Sequence, residues 1–219
     1  MKIAIVDYGA GNLPSVERAL RGLGAETERA VEPGQLRAAK AIVLPGVGHF
    51  AAFVAGLRER NLTEPLRAAF QAGVPILGIC LGLQAMFASS EEAPGDKGLG
   101  FFPEEVRALP TNVKSPHIGW NQVRRTQASV LLRGIPDDAY FYFAHSFAAP
   151  ASAEPTVAAC DHGFPFSAVI ERGNLRGVQF HPEKSGETGA QVLRNFVESI
   201  QRRSLAESFR ASTWMRAAW

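Results

Sequence analysis

Disulfide bonding has little to work with in this sequence, because its 219 residues include only two cysteines, Cys80 and Cys160. That scarcity argues against a small cross-linked secreted fold and points to a reducing, cytoplasmic setting. Long apolar runs are missing too: no uninterrupted stretch approaches the ~18–20 residues needed to span a bilayer. The start, Met1-Lys2-Ile3-Ala4-Ile5-Val6-Asp7, lacks a hydrophobic secretory segment with a small-residue cleavage site. Neither sign of charge dominates. The net charge is +2, which gives no long-range reason to invoke nucleic acid or membrane. No internal repeat or low-complexity linker divides the chain. What is present is ordinary globular composition, 46% hydrophobic and 20% charged, in a chain long enough for one large α/β domain.

The first part alternates strand and helix patterns. Lys2–Asp7 reads as a buried strand, Tyr8–Asn12 as a turn and Leu13–Leu23 as a helix, with Pro14 tolerated in its first turn. Short strands are expected at Ala25–Ala30 and Lys40–Leu44, then helices at His49–Arg60 and Asn61–Ala72. Such alternation implies right-handed crossovers and a mainly parallel sheet, with functional residues at the carboxyl ends of its strands. From Ser89 to Gly100 the polar, glycine-rich sequence reads as a loop. Short strand-like runs follow at Phe101–Leu109, Ile118–Arg124, Ala139–Phe143, Thr156–Cys160, Ser167–Glu171 and Leu175–Phe180. A brief helix is expected at Ala128–Arg133 and a closing one at Thr188–Arg203. The second part therefore predicts antiparallel strands added to the parallel sheet.

The most informative stretch is the apolar run Val74-Pro75-Ile76-Leu77 leading into Gly78-Ile79-Cys80-Leu81-Gly82, with a helical apolar pattern directly after it. This is a nucleophile-elbow pattern with sulfur in place of the serine oxygen. Glycines on both sides let the flanking elements pack close to a strained turn. Helix entry after Cys80 favours thiolate and leaves N–H groups free to receive an oxyanion. An arbitrary cysteine is better read as a small buried core residue, but the glycines on both sides at a strand–helix junction reverse that reading, provided a base is found elsewhere. A base is needed to decide, and that base needs a third group to fix its tautomer. His181 ends a strand and precedes Pro182-Glu183. In an extended segment residues two apart project to the same side, so Glu183 can hold the imidazole while Pro182 stiffens the pair. His-x-Glu does not match zinc spacing, so no metal is expected. Gly9-x-Gly11 lacks the third glycine of a dinucleotide fingerprint, Pro14 standing there instead, and reads as a tight turn.

Gly78–Gly82 together with Phe180-His181-Pro182-Glu183 resembles the class I (triad) glutamine amidotransferases. More narrowly, five segments in order are similar to the glutaminase subunits of imidazole glycerol phosphate synthases. They are Asp7–Asn12, Pro45-Gly46-Val47-Gly48-His49-Phe50, Pro116-His117-Ile118-Gly119-Trp120-Asn121, His145-Ser146 and His181–Ser185. The resemblance covers nearly the whole chain to about residue 200. It implies a flavodoxin-like α/β fold, an open, mainly parallel sheet flanked by helices with an added antiparallel portion. It further implies that Cys80 attacks the glutamine side-chain amide to form a thioester, with His181 shuttling protons and Glu183 orienting it. Leu81 N–H and a backbone N–H near Val47 would hold the oxyanion, and no cofactor is required. Gly48, Gln84, His145, Ser146 and Phe147 are the implied glutamine-binding residues, although relatives often carry Tyr where Phe147 stands. The implied partner is a (β/α)8 cyclase subunit that uses the ammonia, with Asn12, Trp120, Asn121, Tyr142 and Lys184 facing it.

Two other readings stay open from sequence: a different cysteine hydrolase or amidotransferase on the same fold, and a catalytically silent binding module. Residues 1–203 read as the amidotransferase domain. Residues 204–219 read as a C-terminal extension, in which Leu205 and Phe209 share a helical face and Trp214, Met215 and Trp219 add apolar bulk.

Overall fold

The computed structural model describes the backbone of residues 2–216 and the side chains through Leu205. In chain order the elements are β1 (Lys2–Val6), α1 (Leu13–Gly22), β2 (Glu26–Ala30), α2 (Pro33–Ala38), β3 (Ala41–Gly46), α3 (Phe50–Glu59), α4 (Thr63–Gln71) and β4 (Ile76–Cys80). There follow the single turn α5 (Leu81–Gln84), β5 (Phe87–Ser90), β6 (Phe102–Ala108), β7 (His117–Gln122), β8 (Arg124–Arg125) and β9 (Tyr140–His145). The chain continues through β10 (Phe147–Ala148), β11 (Thr156–Asp161), β12 (Pro165–Arg172), β13 (Leu175–Val178), a 3-10 turn at Pro182–Lys184 and α6 (Gly186–Arg216).

An eight-stranded sheet in the order β2-β1-β3-β4-β13-β12-β11-β8 forms the frame. From β2 to β13 all neighbours run parallel. Beyond β13 the pairing is antiparallel. The period-2 alternation of strands divides the core between the two faces. Ile3, Ile5, Val43, Leu77 and Ile79 pack with Val16, Leu20, Val192 and Phe196 of α1 and α6. Ala4, Val6, Ile42, Leu44 and Ile76 pack with Phe53, Leu57 and Leu66 of α3 and α4. The mixed sheet flanked by helices is the architecture the sequence predicts.

Several local expectations change. The antiparallel strands do not all join the main sheet: β10-β6-β5 form a three-stranded sheet of their own, and β7 pairs with β9 in a two-stranded ribbon. The helix expected after Cys80 is only Leu81–Gln84. The chain then turns into β5, where Phe87 pairs with Phe102 across the small sheet. No helix forms at Ala128–Arg133. Glu171 reaches across and accepts hydrogen bonds from the Val130 and Leu131 N–H groups and the Ser129 hydroxyl, holding that stretch as a turn. Helix α2 went unforeseen, although Glu32 and Gln35 form a reciprocal capping box around Pro33. Helix α6 runs without a break past residue 203. Leu205 on it is 71% exposed, while the side chains of Phe209, Trp214 and Met215, and Trp219 as a whole, lie outside the described residues.

Candidate active site

Parallel pairing of β3 with β4 sets Gly46 opposite Cys80, so the turn Val47-Gly48 leaves the sheet beside the thiol. Cys80 adopts φ 53 and ψ −110, a left-handed backbone that a side-chain-bearing residue rarely takes and that concentrates at functional sites. The flanking glycines are required by space. A Cβ on Gly82 would sit 1.7 Å from the Leu44 carbonyl oxygen, and one on Gly78 would press on the Leu83 backbone. The elbow expected from Gly78–Gly82 is therefore present, but with a single helical turn behind it. A helix this short supplies oriented N–H groups more than a macrodipole.

The strand beside β4 brings in His181. Val178 of β13 pairs with Ile79, and three residues later His181 is buried next to the elbow. Its Nδ1 lies 2.8 Å from Glu183 Oε1. The sequence paired these residues as neighbours on one side of an extended segment. The pairing holds, but its geometry differs, since Glu183 sits in the 3-10 turn that Pro182 begins. Glu183 Oε2 is buried and has no hydrogen-bond partner among the described residues, so the contact with His181 is the carboxylate's hydrogen bond there. Burial pulls the imidazole pKa down, but hydrogen bonds with Cys80 and Glu183 and the attraction of both outweigh it, raising the value to about 10. The balance of these contacts favours the protonated ring.

A cavity of about 80 Å³ opens next to Cys80, lined by Val47, Gly48, Leu81, Gln84, Glu92, Ala144, His145, Ser146 and Phe147. Every residue named from sequence for glutamine or oxyanion contact is on this wall. Their roles are less uniform than that placement suggests. Gln84 Nε2 is engaged inside the protein, donating to the Phe147 carbonyl (2.8 Å) and to Gln179 Oε1 (3.2 Å). The Val47 N–H donates to Tyr8 Oη at 3.0 Å. Phe147 contributes its carbonyl, which also meets His145 Nδ1 at 3.0 Å, a part that needs no side-chain hydroxyl.

Sequence reasoning left out four residues that shape the site. Gln179 is fully buried and its Nε2 lies 3.6 Å from Cys80 Sγ; a glutamine between Val178 and Phe180 in an apolar strand was the available signal. His117 Nδ1 is 3.0 Å from His145 Nε2, and His117 Nε2 is 3.3 Å from Asn121 Nδ2. A carbonyl can only accept, so the His145 proton sits on Nδ1, and donation then runs from Asn121 through His117 to His145. This relay requires both rings to be neutral. Burial, reinforced by neighbouring imidazoles, lowers His117 to about 4 and His145 to about 3. Tyr8, which lies in the Asp7–Asn12 segment but was given no role there, and Glu92, which no motif marks, complete the set.

Of the residues implied to face a partner, Trp120 is 56% exposed on β7, next to Ile118 on the same face and Tyr140 of β9. Lys184 is exposed and holds its ammonium over the Tyr142 ring. Asn12 is half-buried and accepts from the Ser15 hydroxyl. Asn121 is half-buried too, and its amide is engaged internally, with His117 and the Asp161 carbonyl.

Comparison with known proteins agrees with this geometry. Residues 4–200 match the family model for class-I glutamine amidotransferases. The chain is 48% identical over 200 residues to the imidazole glycerol phosphate synthase subunit HisH of Moorella thermoacetica, covering 91% of this chain and 95% of that protein. It is also 48% identical over 199 residues to HisH of Methanothermobacter thermautotrophicus, covering 91% of this chain and 99% of that one. A solved glutamine amidotransferase superposes with a TM-score of 0.72 at 18% identity, covering 90% of this chain and 98% of that chain, a likeness of fold. The chain thus belongs to the class-I glutamine amidotransferases and, within them, to the HisH subunits of imidazole glycerol phosphate synthase.

Proposed function

We propose that Cys80, His181 and Glu183 form a Cys-His-Glu triad that hydrolyses glutamine to glutamate and ammonia. The observation that carries this reading is the buried His181–Glu183 pair, 2.8 Å apart, beside a cysteine held in a strained elbow. An imidazolium next to Cys80 favours the thiolate. The sulfur attacks the side-chain amide carbon, and the developing oxyanion is received by the Leu81 N–H and a donor from the Val47 turn. His181 gives its proton to the departing ammonia, leaving a γ-glutamyl thioester on Cys80. The now neutral His181 takes a proton from water, which attacks the thioester and releases glutamate, returning the thiolate–imidazolium pair. Glutamine would be held by Gly48, Gln84, His145, Ser146 and Phe147.

The relatives are named as subunits, and the exposed Ile118, Trp120 and Tyr140 offer an apolar face suited to association. The ammonia would pass to a (β/α)8 cyclase subunit that forms imidazole glycerol phosphate and an aminoimidazole carboxamide ribotide in cytoplasmic histidine biosynthesis. Asn12, Trp120, Asn121, Tyr142 and Lys184 would lie toward that partner. Residues 1–203 would constitute the amidotransferase domain and 204–219 an added extension. The deciding experiment is ammonia release from glutamine with and without the cyclase and its nucleotide ligand. Stimulation that Cys80→Ala abolishes supports the reading; absence of stimulation overturns it.

A further inference from the structure

Gln179 places an amide where the surrounding pattern calls for an apolar side chain. It stands between Val178 and Phe180 and is wholly buried. Its backbone N–H donates to the Ala168 carbonyl at 2.9 Å, which ties the end of β13 to β12. A buried amide costs stability unless its donors and its acceptor are matched. The match here runs in one direction. The Phe147 carbonyl can only accept, and it does so from Gln84 Nε2 at 2.8 Å and from His145 Nδ1 at 3.0 Å. That turns the amino end of Gln84 toward Gln179, whose Oε1 accepts from the same Nε2 at 3.2 Å. With its oxygen so engaged, Gln179 presents its own Nε2 on the other side, where it meets Cys80 Sγ at 3.6 Å. The sulfur is the one acceptor this Nε2 finds among the described residues.

We propose that Gln179 is a catalytic residue that donates an N–H to Cys80 Sγ and stabilises the sulfur as a thiolate, both before attack and as it leaves the acyl-enzyme. This rests on the glutaminase reading above and adds a donor to the triad. A thiol sulfur is a weak acceptor, so the buried Nε2–H is poorly satisfied while Cys80 is neutral, and a charged sulfur satisfies it. The Ala144 carbonyl, 3.9 Å from Sγ, is in turn the acceptor offered to the neutral S–H. His181 also hydrogen-bonds the sulfur, but its proton leaves with the ammonia. The Gln179 amide keeps its hydrogens throughout. When water opens the thioester, the C–S electron pair returns to a sulfur that already faces a donor.

Gln179→Met keeps the length of the side chain and removes the amide. With the cyclase subunit and its nucleotide ligand present, kcat for glutamine hydrolysis is expected to fall about 10- to 100-fold, as the loss of one hydrogen bond to a charged group implies. KM is expected to stay within about threefold, because the interaction is made with the enzyme's own sulfur. A packing defect alone would leave ionisation untouched, so the second readout is alkylation of Cys80 by iodoacetamide across pH in the full-length chain. Cys80→Ala subtracts any reaction at Cys160. The pH of half-maximal reaction is expected to move upward in Gln179→Met. An unmoved profile overturns the proposal, and so does an unchanged kcat in a folded protein. The third measurement uses the unsubstituted chain and stands even should Gln179→Met fail to fold. One side-chain N–H proton of Gln179 is expected to move downfield by NMR as Cys80 ionises; a proton that stays in place overturns the donor. Should the unsubstituted complex release no ammonia from glutamine, the glutaminase reading fails, while the alkylation profile and the amide proton still decide whether Gln179 serves the sulfur.

Discussion

Histidines in this chain are tuned in opposite directions by their surroundings, with a measurable consequence. His181 is raised to about 10, so its contribution to stability is complete below its unfolded value near 6.5 and is lost as pH rises through 10. His117 and His145 are lowered to about 4 and 3. The unfolded chain then binds protons that the folded one refuses, and stability falls as pH drops from about 6.5 through those values. For these three groups stability should peak near pH 6.5, which urea denaturation between pH 4 and 10 would show; a monotonic profile contradicts the assignment. Glu183→Gln leaves an acceptor for His181 Nδ1 but removes its charge. It is expected to lower kcat about 10²–10⁴-fold and to bring the imidazole titration below 10 by NMR. Cys80, His181 and Glu183 could be singled out from sequence because each lies in a short local pattern. The contacts of Gln179, His117 and Tyr8 could not, although His117 and Tyr8 stand in motif segments, since their site partners lie 99, 28 and 39 positions away and only folding brings them together.

Elements obey the hydrophobic pattern wherever a strand is buried on both faces, and depart from it where one distant side chain intervenes. The parallel strands read correctly because their runs are apolar and of strand length. At Ser129–Leu132 the local pattern favoured a helix, but Glu171 binds the N–H groups in a different arrangement. Its side chain is 13% exposed and Arg176 lies 3.9 Å away. Glu171→Ala would strip a charged acceptor from three partly buried donors. A loss of about 3 kcal/mol in urea denaturation is expected, with near-normal kcat; a change under about 0.5 kcal/mol would show that the turn holds itself. At the elbow, Gly82→Ala would drive a methyl into the Leu44 carbonyl. Destabilisation of about 3 kcal/mol or more is expected, together with loss of activity, because β3 and β4 cannot separate without moving Val47 from Cys80.

Across the whole molecule, a single parallel edge gathers segments far apart in sequence: the loop carrying Tyr8 after β1, the Val47 turn after β3, Cys80 at the end of β4 and His181 after β13. The ribbon of β7 and β9 is attached to this edge, since the His181 N–H donates to the Tyr142 carbonyl and Ser185 Oγ accepts from the Tyr142 N–H. Exposed Trp120 on that ribbon is the natural anchor for the proposed cyclase. Trp120→Ala is expected to weaken its binding about 30-fold, near 2 kcal/mol, by calorimetry, while leaving the chain's melting temperature unchanged. Unaltered affinity would place the interface elsewhere. The sequence by itself determined the α/β class and marked Cys80, His181 and Glu183 as the candidate triad, since periodicity and short motifs record local geometry. Only the tertiary structure decided that the elbow helix is one turn long, that imidazoles link the cavity beside Cys80 to Asn121, and that the Tyr8 hydroxyl hydrogen-bonds the Val47 peptide. Those facts depend on strand order and register, which bring together side chains whose separation along the chain carries no local signal.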